Sequence, residues 1–184
     1  VMCDIYFNDL YRQKYGKQEP SSICHEEVLK DLITGKVAGF TVTKLIRRSL
    51  YQKYHIEYPK GIYGREDQYT MCKLLMNNIK IAYLPRAYYH YMHYGNASQS
   101  RSYDDGTYEM DEKILSLFVN LFNNHPLQEL VRGRIISYVV GHAFFNGQRY
   151  FSNSDFIKDD PVRFLHRFNS KKDIEIAGFI ASLL

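Results

Sequence analysis

The hydrophobic pattern changes period several times along the chain. Val1, Cys3, Ile5 and Phe7 alternate with Met2, Asp4 and Tyr6, a period of two that predicts a strand over Val1 to Phe7. Asn8 to Ser22 is polar, charged and aromatic with Gly16 and Pro20 as breakers, and reads as a long loop or an excursion. Ser22 is placed to cap a helix carrying Val28, Leu29, Leu32 and Ile33, with Gly35 as its stop. A short extended piece around Val37 to Val42 follows. Leu45, Ile46, Leu50 and Tyr54 then recur at helical spacing and predict a helix over Thr43 to Tyr54.

Next comes Pro59-Lys60-Gly61-Ile62-Tyr63-Gly64-Arg65-Glu66-Asp67, a turn that leads directly into a helix reaching about Met76. Ile79, Ile81 and Tyr83 alternate up to Pro85 and predict a second strand. Arg86 to Tyr94 predicts a third, rich in tyrosine. Asn96 to Gly106 has loop composition, and beyond it the periodicity is helical. Tyr108 to Phe122 forms one predicted helix and Pro126 opens a second towards Phe145. Asp160-Pro161 starts another, and a last one begins near Lys171.

Composition narrows the class without choosing a function. Hydrophobic residues make up 45% of the 184 residues and are spread evenly, so a substantial core is expected and disorder is not. No apolar run approaches the roughly 18 residues that a membrane span requires. Cys3, Cys24 and Cys72 are odd in number and widely spaced, which speaks against a disulfide framework and against a zinc site. A net charge of +4 with scattered basic residues gives little support for nucleic-acid binding, while it is compatible with anionic surfaces or phosphorylated substrates. The chain holds 17 tyrosines and no tryptophan, a surplus of rings able both to stack on sugars and to hydrogen-bond.

The candidate chemistry lies at the turn. The first N–H groups of a helix lack intrahelical partners and favour an anion by about 0.3–1 kcal/mol, so Glu66 and Asp67 are delivered where a carboxylate stays ionised, as a general base must. Acidic residues also occur in first turns simply because they stabilise helices. His90 and His93, three residues apart on a strand, would point to opposite faces, which argues against a metal pair.

Five linked segments carry a more specific signal: Thr43-Lys44-Leu45-Ile46-Arg47-Arg48-Ser49-Leu50, Ile56-Glu57-Tyr58-Pro59-Lys60-Gly61, Glu66-Asp67, Ile81-Ala82-Tyr83-Leu84-Pro85 and Tyr89-His90-Tyr91. Their order and spacing resemble family 2 glycosyltransferases, especially bacterial enzymes of capsule, lipopolysaccharide and exopolysaccharide synthesis. The resemblance covers roughly residues 1–100. It implies an α/β fold, the C-terminal half of a GT-A nucleotide-diphospho-sugar transferase with few strands and a mainly helical C-terminal region. Residues 1–104 would be the acceptor-side part of that domain and 105–184 a helical extension. The implied reaction is inverting transfer of a sugar from a nucleotide-diphospho-sugar to a glycan or lipid-linked hydroxyl, with Asp67 as general base and Glu66 beside it. Lys44, Arg48, Tyr63, Arg65, Tyr91 and His93 are the candidate substrate-binding residues. His93 stands where the family often has arginine.

The resemblance also implies Mg²⁺ or Mn²⁺ held by an Asp-x-Asp motif, yet no two aspartates here are separated by one residue. The metal ligands are therefore expected outside this chain, in a donor-binding half upstream of Val1. Without that half a leaving diphosphate lacks charge stabilisation, so the chain alone is expected to transfer no sugar. A strand at Val1 to Phe7 deprived of neighbours would expose an edge, which predicts a homodimer or a rearranged segment covering it. The expected location is the cytoplasm, including the inner face of the membrane as a peripheral protein. A non-catalytic carbohydrate-binding or assembly module is the alternative reading.

Overall fold

The computed structural model describes residues 1–8, 11–92 and 105–135. They fall into two units divided between Leu127 and Gln128. The boundary expected at 104/105 lies inside the first unit.

In the first unit, strand β1 (Met2–Asn8) lies between β2 (Gln13–Gly16) and β3 (Tyr83–Met92). It pairs antiparallel with β2 and parallel with β3. The result is a small mixed sheet with helices, an α/β class. Strand β2 lies within Asn8 to Ser22, where the sequence predicts no strand but a long loop or an excursion. It also gives Ile5 to Asn8 of β1 a neighbour on the side away from β3, and Lys44 bridges to Met2 at the other end of the strand. Gly16, opposite Ile5, permits this approach, because a Cβ there would stand 2.6 Å from the Phe7 ring and 2.9 Å from Ile5.

β3 is one strand where the periodicity suggested two, and residues 79–82 are not part of it. The pairing of β1 with β3 shifts between Cys3 and Asp4 and again between Asp4 and Ile5, so that Cys3 faces Leu84, Asp4 faces Ala87 and Ile5 faces Tyr89. Pro85 sits in the first of these irregularities. It has no N–H to give a ladder, and a bulge lets the strand continue past it.

The buried carboxylate of Asp4 ties the three strands together. It accepts hydrogen bonds from the Tyr15 hydroxyl on β2, from Gln18 N–H at 2.6 Å and from the Tyr83 hydroxyl on β3 at 2.7 Å. Burial alone would raise its pKa. The three donors, with Lys17 nearby, outweigh that and hold it below the ordinary carboxylate value. The same contact keeps the Tyr15 hydroxyl protonated, pushed up to about 12.

The core forms on the Ile5 side and between helices. Helix α1 (His25–Thr34) buries Val28, Leu29, Leu32 and Ile33. It ends at Gly35, whose φ of 81° is the left-handed stop expected there. Ser22 does not cap it directly; its hydroxyl accepts the Cys24 N–H just outside the helix. The helix expected over Thr43 to Tyr54 is shorter. A 3₁₀ turn occupies Thr41–Thr43, Lys44 forms an antiparallel bridge to Met2, and helix α2 spans only Arg48–Lys53. Helix α3 (Glu66–Leu75) buries Thr70, Met71, Cys72, Leu74 and Leu75, and His25 Nδ1 lies 2.9 Å from the Leu75 carbonyl oxygen. Helix α4 (Asp105–Leu121) packs on α3, with the Phe118 ring edge-on to Tyr69 at 5.5 Å.

In the second unit, residues 128–135 are helical, with Val131 and Ile135 buried and a Glu129–Arg132 ion pair at 3.6 Å. The helices predicted near Asp160 and Lys171 lie outside the described residues, as does the expected course of the preceding one beyond 135. No helix among the described residues is long and apolar enough to cross a membrane.

Candidate functional site

The turn before α3 is built as its sequence dictates. Gly61 and Gly64 have φ values of 69° and 97°, and Arg65, at the helix N-cap, is also left-handed with φ of 61°. Two glycines take up this geometry without strain, whereas an arginine there is uncommon and must be held by its surroundings. No side chain caps α3, so Glu66 and Asp67 are the anionic groups of its first turn.

The Asp67 carboxylate is directed away from its own helix, towards the 3₁₀ turn. Oδ2 accepts the Thr41 N–H at 3.1 Å and Oδ1 accepts the Thr41 hydroxyl at 2.8 Å. These bonds orient the group and leave lone pairs on both oxygens. Asp67 is half-buried, so the group is neither sealed in the core nor freely rotating. Its hydrogen bonds go to a threonine rather than to a cation.

Close packing brings the two elements together. A Cβ on Gly39 would lie 2.6 Å from Gln68 Cβ and 2.8 Å from Gln68 Cα, a distance that only glycine permits. Gln68 follows Asp67, so this contact sets Thr41 against the carboxylate. Ala38 is anchored from the other side by its N–H, donated to Gln18 Oε1 at 2.7 Å.

Lys44 and Tyr51 complete the electrostatics. Burial pushes the Lys44 ammonium down to about 8, an effect that the Asp67 carboxylate and Cys3 partly offset. Burial likewise raises the Tyr51 hydroxyl to about 12, helped by Tyr58, which also hydrogen-bonds to it, and by the charge of Asp67. Asp67 is thus near the Lys44 ammonium and near a hydroxyl that stays protonated.

Beside Thr41 three rings meet. Phe40 stacks on Tyr91 at 6.3 Å with 17° between the planes, and Phe7 touches both, at 6.4 and 6.1 Å. Phe7 and Tyr91 face each other near the carboxyl ends of the parallel strands β1 and β3. Phe40 is 37% exposed, which gives the cluster an open side.

Of the residues singled out from sequence, Asp67, Lys44 and Tyr91 converge here, Tyr91 through Phe40. Glu66 is half-buried in the same first turn. Arg65 reaches Gln68 Oε1 at 3.4 Å. Arg48 opens α2 and is exposed, and Tyr63 is 63% exposed on the turn; among the described residues no hydrogen bond or ion pair links either to Asp67. His93 lies outside the described residues. Thr41, Gly39, Phe40 and Tyr51 escaped the sequence reading. Thr41 is 26 residues from Asp67, and no local pattern joins them.

Among the described residues no group of three or more His, Cys, Asp or Glu is placed to hold a metal ion. The described residues therefore do not make a site for the divalent cation that the resemblance implies. Comparison of the chain with protein-family models, with curated proteins and with solved structures finds no match.

Proposed function

We propose that this chain is the acceptor-side part of an inverting family 2 glycosyltransferase of GT-A type, with Asp67 as general base. The observation that carries the reading is the placement of Asp67. It is a half-exposed carboxylate at a helix's first turn, oriented by Thr41, beside an open aromatic cluster at the carboxyl ends of two parallel strands. Ligands of α/β sheets bind at that end of the strands. The five motif segments quoted above support the same reading.

In this mechanism the acceptor hydroxyl donates to an Asp67 oxygen as its own oxygen attacks the anomeric carbon. The new C–O bond forms on the face opposite the departing nucleoside diphosphate, whose C–O bond breaks, and the proton ends on Asp67. A divalent cation, when bound, would neutralise the diphosphate; its ligands belong to a donor-binding segment outside the described residues. Phe40 and Tyr91 offer apolar ring faces to an acceptor sugar, and the Tyr51 and Tyr58 hydroxyls offer hydrogen bonds. The acceptor is a glycan or lipid-linked hydroxyl, and the proposed location is the cytoplasm, including the inner face of the membrane.

The experiment joins this chain to a donor-binding segment carrying Asp-x-Asp and measures transfer from nucleotide-sugars. Asp67→Asn keeps the shape and removes the base, so kcat is expected to fall about 10²–10⁴-fold with an unchanged circular dichroism spectrum. Retention of full activity by that variant would overturn the assignment. Glycan binding without turnover, indifferent to Asp67, would instead favour the non-catalytic module.

A further inference from the structure

The segment 38–44 is folded around a single ammonium. Lys44 Nζ donates to the carbonyl oxygens of Ala38 and Phe40, each at 2.7 Å, and to the Thr43 hydroxyl oxygen at 3.1 Å. An ammonium has three hydrogens, and these acceptors engage all of them. The Thr43 hydroxyl donates in turn to the Phe40 carbonyl at 3.1 Å. The acceptors stand on both sides of Gly39 and of Thr41. One cation therefore closes the turn from which the Thr41 N–H and hydroxyl reach Asp67.

Irregular backbone has few other ways to satisfy its carbonyls, and bonds from a charged donor are about twice as strong as neutral ones. The segment is also held by Ala38 N–H on Gln18, by the contact of Gly39 with Gln68, by the Lys44 N–H on the Thr41 carbonyl and by the bridge of Lys44 to Met2. The Lys44 ammonium adds the tie that joins carbonyls on both sides of Gly39.

We propose that Lys44 is a positioning residue for Asp67: its side chain sets the conformation of segment 38–44, and through Thr41 that conformation fixes the direction of the carboxylate. The role differs from a contact with donor phosphate, for which the ammonium has no hydrogen left over. The catalytic meaning of the coupling rests on reading Asp67 as the base, whereas the coupling itself rests on the hydrogen bonds alone.

The test is nuclear magnetic resonance on the 184-residue chain, with Lys44→Met as the variant and the Asp67 carboxyl ¹³C signal and Thr41 amide exchange as readouts. Methionine keeps the apolar stem and removes the donors. Amide exchange at Thr41 is expected to accelerate at least tenfold and the Asp67 carboxyl signal to shift, while Val28 and Leu29 in α1 keep their protection. A folded variant in which both Thr41 and Asp67 behave as in the parent overturns the proposal. The parent protein supplies a second measurement that needs no substitution. Proton exchange from the Lys44 ammonium is expected to be at least tenfold slower than from exposed Lys30, and equal rates would also overturn it. Neither readout requires sugar transfer. Failure of the glycosyltransferase reading would leave this coupling standing, and failure of the coupling would leave the Asp67→Asn result to be judged separately.

Discussion

At the scale of single residues, the acid that the motif marks out is held by a partner the motif does not contain. First-turn carboxylates ordinarily serve their own helix, but the Asp67 side chain bonds to Thr41 instead. Its neighbour Lys44 offers a direct check on the local electrostatics. Burial sets its pKa at about 8 against 10.5 for a free lysine. A ¹³Cε titration of the folded chain is therefore expected to show a midpoint near 8 for this residue. The sign for stability follows from proton counts. Between about 8 and 10.5 the unfolded chain holds a proton that the folded chain has released, so this group's contribution to stability is lowest below 8 and rises with pH across that window. Urea midpoints compared between the parent and Lys44→Met should show that rise in the parent only.

At the scale of elements, what could be read from sequence depended on whether the cause was local. β1, the stop of α1 at Gly35, the two-glycine turn and α3 follow from periodicity and backbone freedom within a few residues, and the structure has them where the pattern put them. β2 carries no apolar alternation in Gln-Lys-Tyr-Gly. It is a strand because Tyr15 reaches Asp4 and because Gly16 lets β1 come close, both long-range effects. The helix expected from Thr43 shrinks because Lys44 turns back to carbonyls upstream and bridges to Met2, leaving only Arg48–Lys53 helical. The proline in β3 reads as a terminator in isolation, and only the partner strand reveals the bulge that carries it.

The contact between Gly39 and α3 decides whether the Asp67 site assembles. Gly39→Ala places a methyl group within 2.8 Å of helix backbone, which cannot move as a flexible side chain would. We expect a loss of about 1–3 kcal/mol in stability by chemical denaturation. The Asp67 carboxyl signal should change with it, because the substitution separates Thr41 from the acid.

At the scale of the whole molecule, the candidate site draws on β1, β3, α3 and the segment between α1 and α2, joined across long stretches of sequence. The sequence named the acid, Lys44 and one ring, Tyr91. It missed Thr41, Gly39, Phe40 and Tyr51, whose contributions exist only once the chain has closed on itself. The described part of the second unit is the helical stretch 128–135.

The Asp4 triad has a consequence for how the sheet can be assembled. Sliding β1 by one residue would turn this carboxylate from its three donors into the apolar side occupied by Ile5, stranding a charge among hydrocarbons. Asp4→Ala removes that penalty along with the bonds, and leaves two hydroxyls and an amide without their acceptor. We expect a loss of about 3 kcal/mol in unfolding free energy, together with doubled amide cross-peaks for β2 and β3 if strands then pair in more than one alignment. A single buried acid would thus act as a key cut for one lock, admitting the native alignment and barring its neighbours.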